Sequence, residues 1–125
     1  MSHFTTLKTK LTDTSVLIKA LNRLNYSTQE NVLLDNPVNH KHEQVNVEVG
    51  ITRYVGFKMG VDGTLQLVAE LDAWKEPITV ERFIEKVTQE YARETVMETV
   101  QKQGYTVVSE QKSVENIIEI VAEKW

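Results

Sequence analysis

A chain of 125 residues, 41% hydrophobic and 26% charged, has the length of one domain and the composition of a folded globule rather than a disordered segment. Fourteen basic against eighteen acidic residues give a net charge of −4, so little phosphate-neutralising attraction exists and no nucleic-acid partner is expected. The absence of cysteine excludes disulfides, iron–sulfur clusters, zinc-thiolate sites and cysteine nucleophiles, and no cofactor is expected.

In chain order, residues 3–11 are rich in threonine, with Leu7, Thr9 and Leu11 alternating as in a strand. Thr12 or Asp13 then offers an N-cap oxygen to a helix whose Leu17, Ala20, Leu21 and Leu24 share one face. Asn25 suits a left-handed stop, with Tyr26 folding back on Leu21. A short strand is expected over Val32–Leu34, and Asn36 to Gln44, polar and containing Pro37, forms the longest loop.

Val45, Val47, Val49 and Ile51 alternate cleanly, and Val55, Phe57 and Met59 continue the pattern. Leu65, Leu67, Ala69 and Leu71 answer them across a turn. A two-residue Asp62-Gly63 loop would set Phe57 against Val68 and mix the faces. A three-residue Val61-Asp62-Gly63 loop sets Met59 against Leu65 and Phe57 against Leu67, so the spacing predicts a bulged hairpin with Gly63 left-handed.

After Pro77, Thr79 can cap a helix reaching about Gln103, with Gly104 as its stop and Tyr105 meeting Val100. Two closing strands are expected over 105–110 and 117–122, around a polar turn. A β-α-β unit thus occurs twice, with a hairpin between. The fold class is α+β, a single domain over residues 1–125. Its expected form is a ferredoxin-like antiparallel sheet with two helices on one face and extra hairpin strands.

The longest apolar runs, such as Val16-Leu17-Ile18, are far too short to span a bilayer, so membrane insertion is not expected. The threonine-rich opening lacks the apolar stretch of a signal peptide, and the mature protein is expected to begin near Met1. Charge is unevenly divided: residues 1–60 carry seven basic and five acidic groups, residues 61–125 seven basic and thirteen acidic. Such polarity could orient a partner or a second copy.

Few residues suggest chemistry. His40 and His42 lie two apart beside Glu43, a legitimate ligand set for zinc or another divalent ion, although exposed loop histidines are the plainer reading. In the long helix, Phe83, Ile84, Val87 and Tyr91 keep to the side of Val80, whereas Val96 and Val100 fall near the opposite side, so the stripe breaks after Tyr91. Either the helix kinks or outruns the sheet, its last turns packing on the final hairpin, or Val96 and Met97 belong to a second contact face. Glu90, Glu94 and Glu98 repeat at i, i+4 and i+8, a stripe able to receive a basic partner or a hard cation, though a solvated face is the simpler reading. No pair of residues suggests a general acid and base. Gly56, Gly60 and Gly63 sit in a hairpin rather than opening a helix, so they form no phosphate cradle.

The opening Met1-Ser2-His3-Phe4-Thr5-Thr6-Leu7-Lys8-Thr9-Lys10-Leu11, followed by Leu17-x-x-Ala20-Leu21-x-x-Leu24-x-Tyr26, resembles the hypothetical chloroplast reading frame 35 family of cyanobacteria and algal plastids. That resemblance implies a soluble protein of the cyanobacterial cytoplasm or plastid stroma and carries over no catalytic residue. The expected function is therefore an accessory or protein-interaction module, self-associating or joined to a protein partner. A regulatory domain binding a small ligand or divalent metal is the alternative.

Overall fold

Strand β1 (Phe4–Lys8) alternates a core-facing Leu7 with exposed Thr6 and Lys8. The computed structural model describes residues 4–35 and 44–104 in full and the backbone of 105–112 and 118–124. Beyond β1 the chain stays beside the sheet: Thr9 Oγ1 donates to the Leu65 carbonyl at 2.5 Å, and Leu65 N donates to the Leu11 carbonyl at 2.7 Å. Helix α1 (Thr14–Arg23) starts where the Asp13 carboxylate accepts the free N–H groups of Ser15 and Val16. It ends as expected, with Asn25 at φ 69° and Tyr26 N donating back to the Leu21 carbonyl at 2.9 Å.

Strands β2 (Gln29–Asp35), β3 (Gln44–Thr52), β4 (Val55–Met59) and β5 (Leu65–Glu70) follow as a meander. The sheet order is β1-β5-β4-β3-β2, antiparallel throughout. The β4–β5 turn has the expected register, with Met59 opposite Leu65, Phe57 opposite Leu67 and Gly63 at φ 83°. The 3-10 turn Leu71–Ala73 leads to helix α2 (Val80–Lys102), capped by Thr79 Oγ1 on Arg82 N at 3.2 Å and ended by Gly104 at φ 82°.

This is the expected α+β layering, with both helices on one sheet face. Leu17 and Leu21 of α1 and Val80, Phe83 and Val87 of α2 pack on Val49, Phe57, Leu65, Leu67 and Ala69. Phe83 is the hub: Tyr26, Trp74 and Phe57 place their rings 5.3, 5.4 and 6.4 Å from its own. Burying such a ring stabilises the fold by about 2–3 kcal/mol. The two β-α-β repeats part company in their strands. β1 and β2 lie at opposite edges of one sheet, whereas β6 (Tyr105–Lys112) leaves α2 and pairs with β7 (Ile118–Lys124) in a separate two-stranded sheet. The contact expected between Tyr105 and Val100 lies outside the described side chains.

A second, smaller core lies on the opposite face. Strand alternation turns Val68 away from its neighbours Leu67 and Ala69, and it packs with Leu34, Val47, Phe4, Val32 and Val45. Two glycines make this possible. A Cβ on Gly50 would collide with Val32, and one on Gly56 would stand 2.8 Å from both Val47 Cγ2 and the Val49 carbonyl oxygen. The outer part of the β2–β3 hairpin therefore closes over the bare backbone at Gly50 and Gly56, and β5 is covered on both faces.

Candidate functional site

The core-facing side of α2 changes chemistry halfway along. Val80, Phe83 and Val87 are buried, and farther on, near the same angle about the axis, stand Glu94 and Glu98. Across from them α1 presents Lys19 and Arg23, four residues apart and so on one face. Glu94, only 5% exposed, accepts Arg23 Nε at 2.8 Å and Arg93 Nη1 at 3.1 Å. Arg93 also meets Glu90 at 3.4 Å, and Lys19 pairs with Glu98. The Tyr91 hydroxyl accepts the backbone N–H groups of Thr12 at 3.2 Å and Asp13 at 3.0 Å. A polar clasp thus continues the apolar helix contact.

This clasp accounts for the stripe that breaks after Tyr91. The inward side does not end there; its side chains become acidic because α1 supplies the opposite charge. Glu94 and Glu98 are therefore neither a solvated face nor a free acidic strip, and Glu90 is half-buried beside Arg93. Val96 projects on the far side of the helix and is 44% exposed, while Met97 is half-buried.

Protonation states follow local contacts. The Ser15 hydroxyl and the Val16 N–H hold the Asp13 carboxyl below its usual range, and the Glu98 carboxylate raises Lys19. Burial, reinforced by Glu76, raises the Tyr26 phenol. Hydrogen bonds from the Thr64 hydroxyl and N–H lower Asp62. Each has a structural cause, and the Lys19–Glu98 pair, which lines an open surface depression between α1 and α2 with Asp13 and Lys102, is a structural ion pair of the clasp.

The second sheet face holds the other feature, an open groove of about 480 Å³. Phe4, Val45 and Val68 supply apolar lining, and Thr6, Lys58 and Gln66 supply polar groups. The register explains their meeting: Lys8 of β1 and Lys58 of β4 both pair with Gln66 of β5, so the three form one row across adjacent strands. Sequence reasoning passed over this row, because single polar residues alternating with apolar ones mark an ordinary outward face. The one available signal was Val68, an apolar residue at an outward position.

His40 and His42, with Glu43, lie outside the described residues, as does His3. Among the described residues no group of three or more histidine, aspartate or glutamate side chains could hold a metal ion. No helix among them is long and apolar enough to cross a membrane.

Residues 20–121 match the family model described as a protein of unknown function, DUF1257. The full chain is 29% identical to the uncharacterized protein ycf35 of Cyanophora paradoxa, over 98% of that protein. It is 28% identical to the ycf35 protein of Pyropia yezoensis and 29% identical to that of Guillardia theta, again over 98% of each. No solved structure gives a significant match. With most of its residues inside the family model and its whole length aligned to these algal plastid proteins, the chain belongs to the DUF1257 family, that of ycf35.

Proposed function

We propose that the chain is a non-enzymatic accessory module that self-associates through the outer side of α2, around Val96 and Met97. The observation that carries this reading is the division of labour on α2. Glu94 and Glu98 are taken up by α1, while Val96 on the far side is 44% exposed. A β-branched apolar side chain left open beside a half-buried methionine suits a helix-to-helix contact between copies. The excess of acid in residues 61–125 tunes such a contact without supplying it. Plastid relatives and the lack of a membrane-crossing helix among the described residues support placing the module in the plastid stroma or cyanobacterial cytoplasm.

Sedimentation velocity over a wide concentration range tests the proposal. Wild type should shift to a heavier species as concentration rises, and Val96→Glu should remain a monomer with an unchanged unfolding midpoint. A wild-type chain that stays monomeric at high concentration overturns it. A second reading, binding of a small ligand, is favoured by the groove on the opposite sheet face.

A further inference from the structure

We propose that the β6–β7 hairpin is completed by the same hairpin of a second copy. The two β7 strands pair antiparallel about a twofold axis at Ile120, giving a four-stranded sheet. This rests on the self-association proposed above and supplies the backbone part of that contact.

The hairpin is a sheet left unfinished. Its strands, of 8 and 7 residues, pair with each other, and among the described residues no strand lies beside either outer edge. A two-stranded ribbon alone is marginal in water and gains independent stability from further strands or a packed helix. Helix α2 lies alongside this one. A helix pairs no strand, however, so alternate backbone N–H and C=O groups along both edges remain open to another chain.

The two edges differ. β6 carries a bulge between Val107 and Ser109, where Val108 has no partner of its own on β7. An edge bent by a bulge is a poor template for a further strand. β7 has neither proline nor glycine and keeps a regular run of residues from Ile118 to Lys124.

Charge selects the register, because residues directly opposite across a strand pair share a face. With the axis at Val121, Glu119 of each copy would stand opposite Glu123 of the other, and with the axis at Glu119 the two Glu119 residues would meet. Like charges so placed repel. An axis at Ala122 would set Ile120 against Lys124. With the axis at Ile120, the two Ile120 residues stand opposite, Ile118 meets Ala122, and Glu119 meets Val121. The apolar positions of one face then run unbroken across the seam. Val96 lies about 12 Å along the helix from Gly104, where the hairpin begins, so one contact can include both.

The chain has no cysteine, so a single introduced one gives an unambiguous cross-link. Directly opposite strand residues have Cα atoms about 4.5–5.5 Å apart, within disulfide reach. Under mild oxidation, Ile120→Cys should form a covalent dimer about tenfold faster or more than Val107→Cys on β6. A second measurement needs no variant: in wild type, amide hydrogen exchange at alternate β7 residues should slow several-fold as concentration rises, with β6 unchanged. If wild type associates in sedimentation but Ile120→Cys cross-links no faster than Val107→Cys, or β7 exchange ignores concentration, strand pairing is overturned and the α2 contact stands. Fast cross-linking of Ile120→Cys in a chain that also carries Val96→Glu supports the strand pairing and overturns the α2 contact alone. A wild type that stays monomeric at high concentration overturns both.

Discussion

Arg23 of α1 and Glu94 of α2 meet at 2.8 Å with very unequal surroundings: the arginine side chain is 54% exposed and the glutamate side chain 7%. The carboxylate has lost most of its water and takes guanidinium donors from both helices in return. Such an arrangement adds little net stability over a well-packed apolar pair, yet it is costly to break from the buried side.

Glu94→Ala should therefore destabilise more than Arg23→Ala. Partial exposure of Arg23 brings the loss below that of a fully buried pair, to about 1–3 kcal/mol for Glu94→Ala and under about 1 kcal/mol for Arg23→Ala. Urea unfolding of both single variants and the double variant measures the difference and the coupling. Equal losses would mean that Arg93 alone satisfies the carboxylate.

At Gly56 the constraint is steric. A methyl group there meets Val47 Cγ2, which can turn, and the Val49 carbonyl oxygen, which is fixed in the sheet. Gly56→Ala should cost about 1–3 kcal/mol, with only partial recovery in the Gly56→Ala, Val47→Ala double variant. Full recovery would show that the backbone contact is relieved without effort.

The Asp13 cap makes stability depend on acid. Asp13→Ala should cost about 1 kcal/mol at neutral pH. The folded carboxyl titrates below its ordinary value of 3.8 because the Ser15 hydroxyl and Val16 N–H hold the charged form. Its contribution is thus present above that ordinary value and lost as pH falls through the lower folded one. The difference in unfolding free energy between wild type and Asp13→Ala should be flat at higher pH and shrink below about pH 4. A difference that grows in acid would contradict the cap.

Phe83 ties the linker to the core, with Trp74 edge-on to its ring and the Trp74 indole N–H donating to the Ile78 carbonyl at 2.8 Å. Phe83→Ala should cost about 3–5 kcal/mol. In a Trp125→Phe background, which leaves Trp74 as the sole indole, it should also move the fluorescence to longer wavelength. Phe83→Leu should keep most of the stability and a smaller part of the shift. An emission spectrum unchanged in both would show that Trp74 does not sense the core.

Local rules made much of this fold legible. Asn25 and Gly104 stop the helices, Asp13 and Thr79 begin them, and matching apolar faces across Gly63 set the β4–β5 register. Each decision involves residues within a few positions of one another. β2 was harder: its first residues, Gln29, Glu30 and Asn31, are polar, and Asn31 adopts φ 53°, so only Val32–Leu34 carried a strand pattern.

The candidate sites were less legible because they depend on partners distant in sequence. Glu94 and Glu98 look like a repulsive surface stripe until α1 places Arg23 and Lys19 opposite them. Lys8, Gln66 and Lys58 look like three unrelated solvent residues until β1 docks on β5. Likewise, no local pattern distinguishes Gly50 and Gly56, where side chains cross the bare backbone, from glycines that merely loosen a strand.

The docking of β1 also orders events during synthesis. β2 to β5 can zip together hairpin by hairpin as they leave the ribosome, each pairing closing only a short loop. β1 emerges first but pairs only with β5, Phe4 meeting Glu70, so its partner is the last strand of the sheet to be made. Until Glu70 is out, the N-terminal strand and one edge of the growing meander both wait with open backbone hydrogen bonds. The two threonines and the lysine of β1, together with its short length, keep the waiting segment hydrated and a poor template for neighbouring nascent chains.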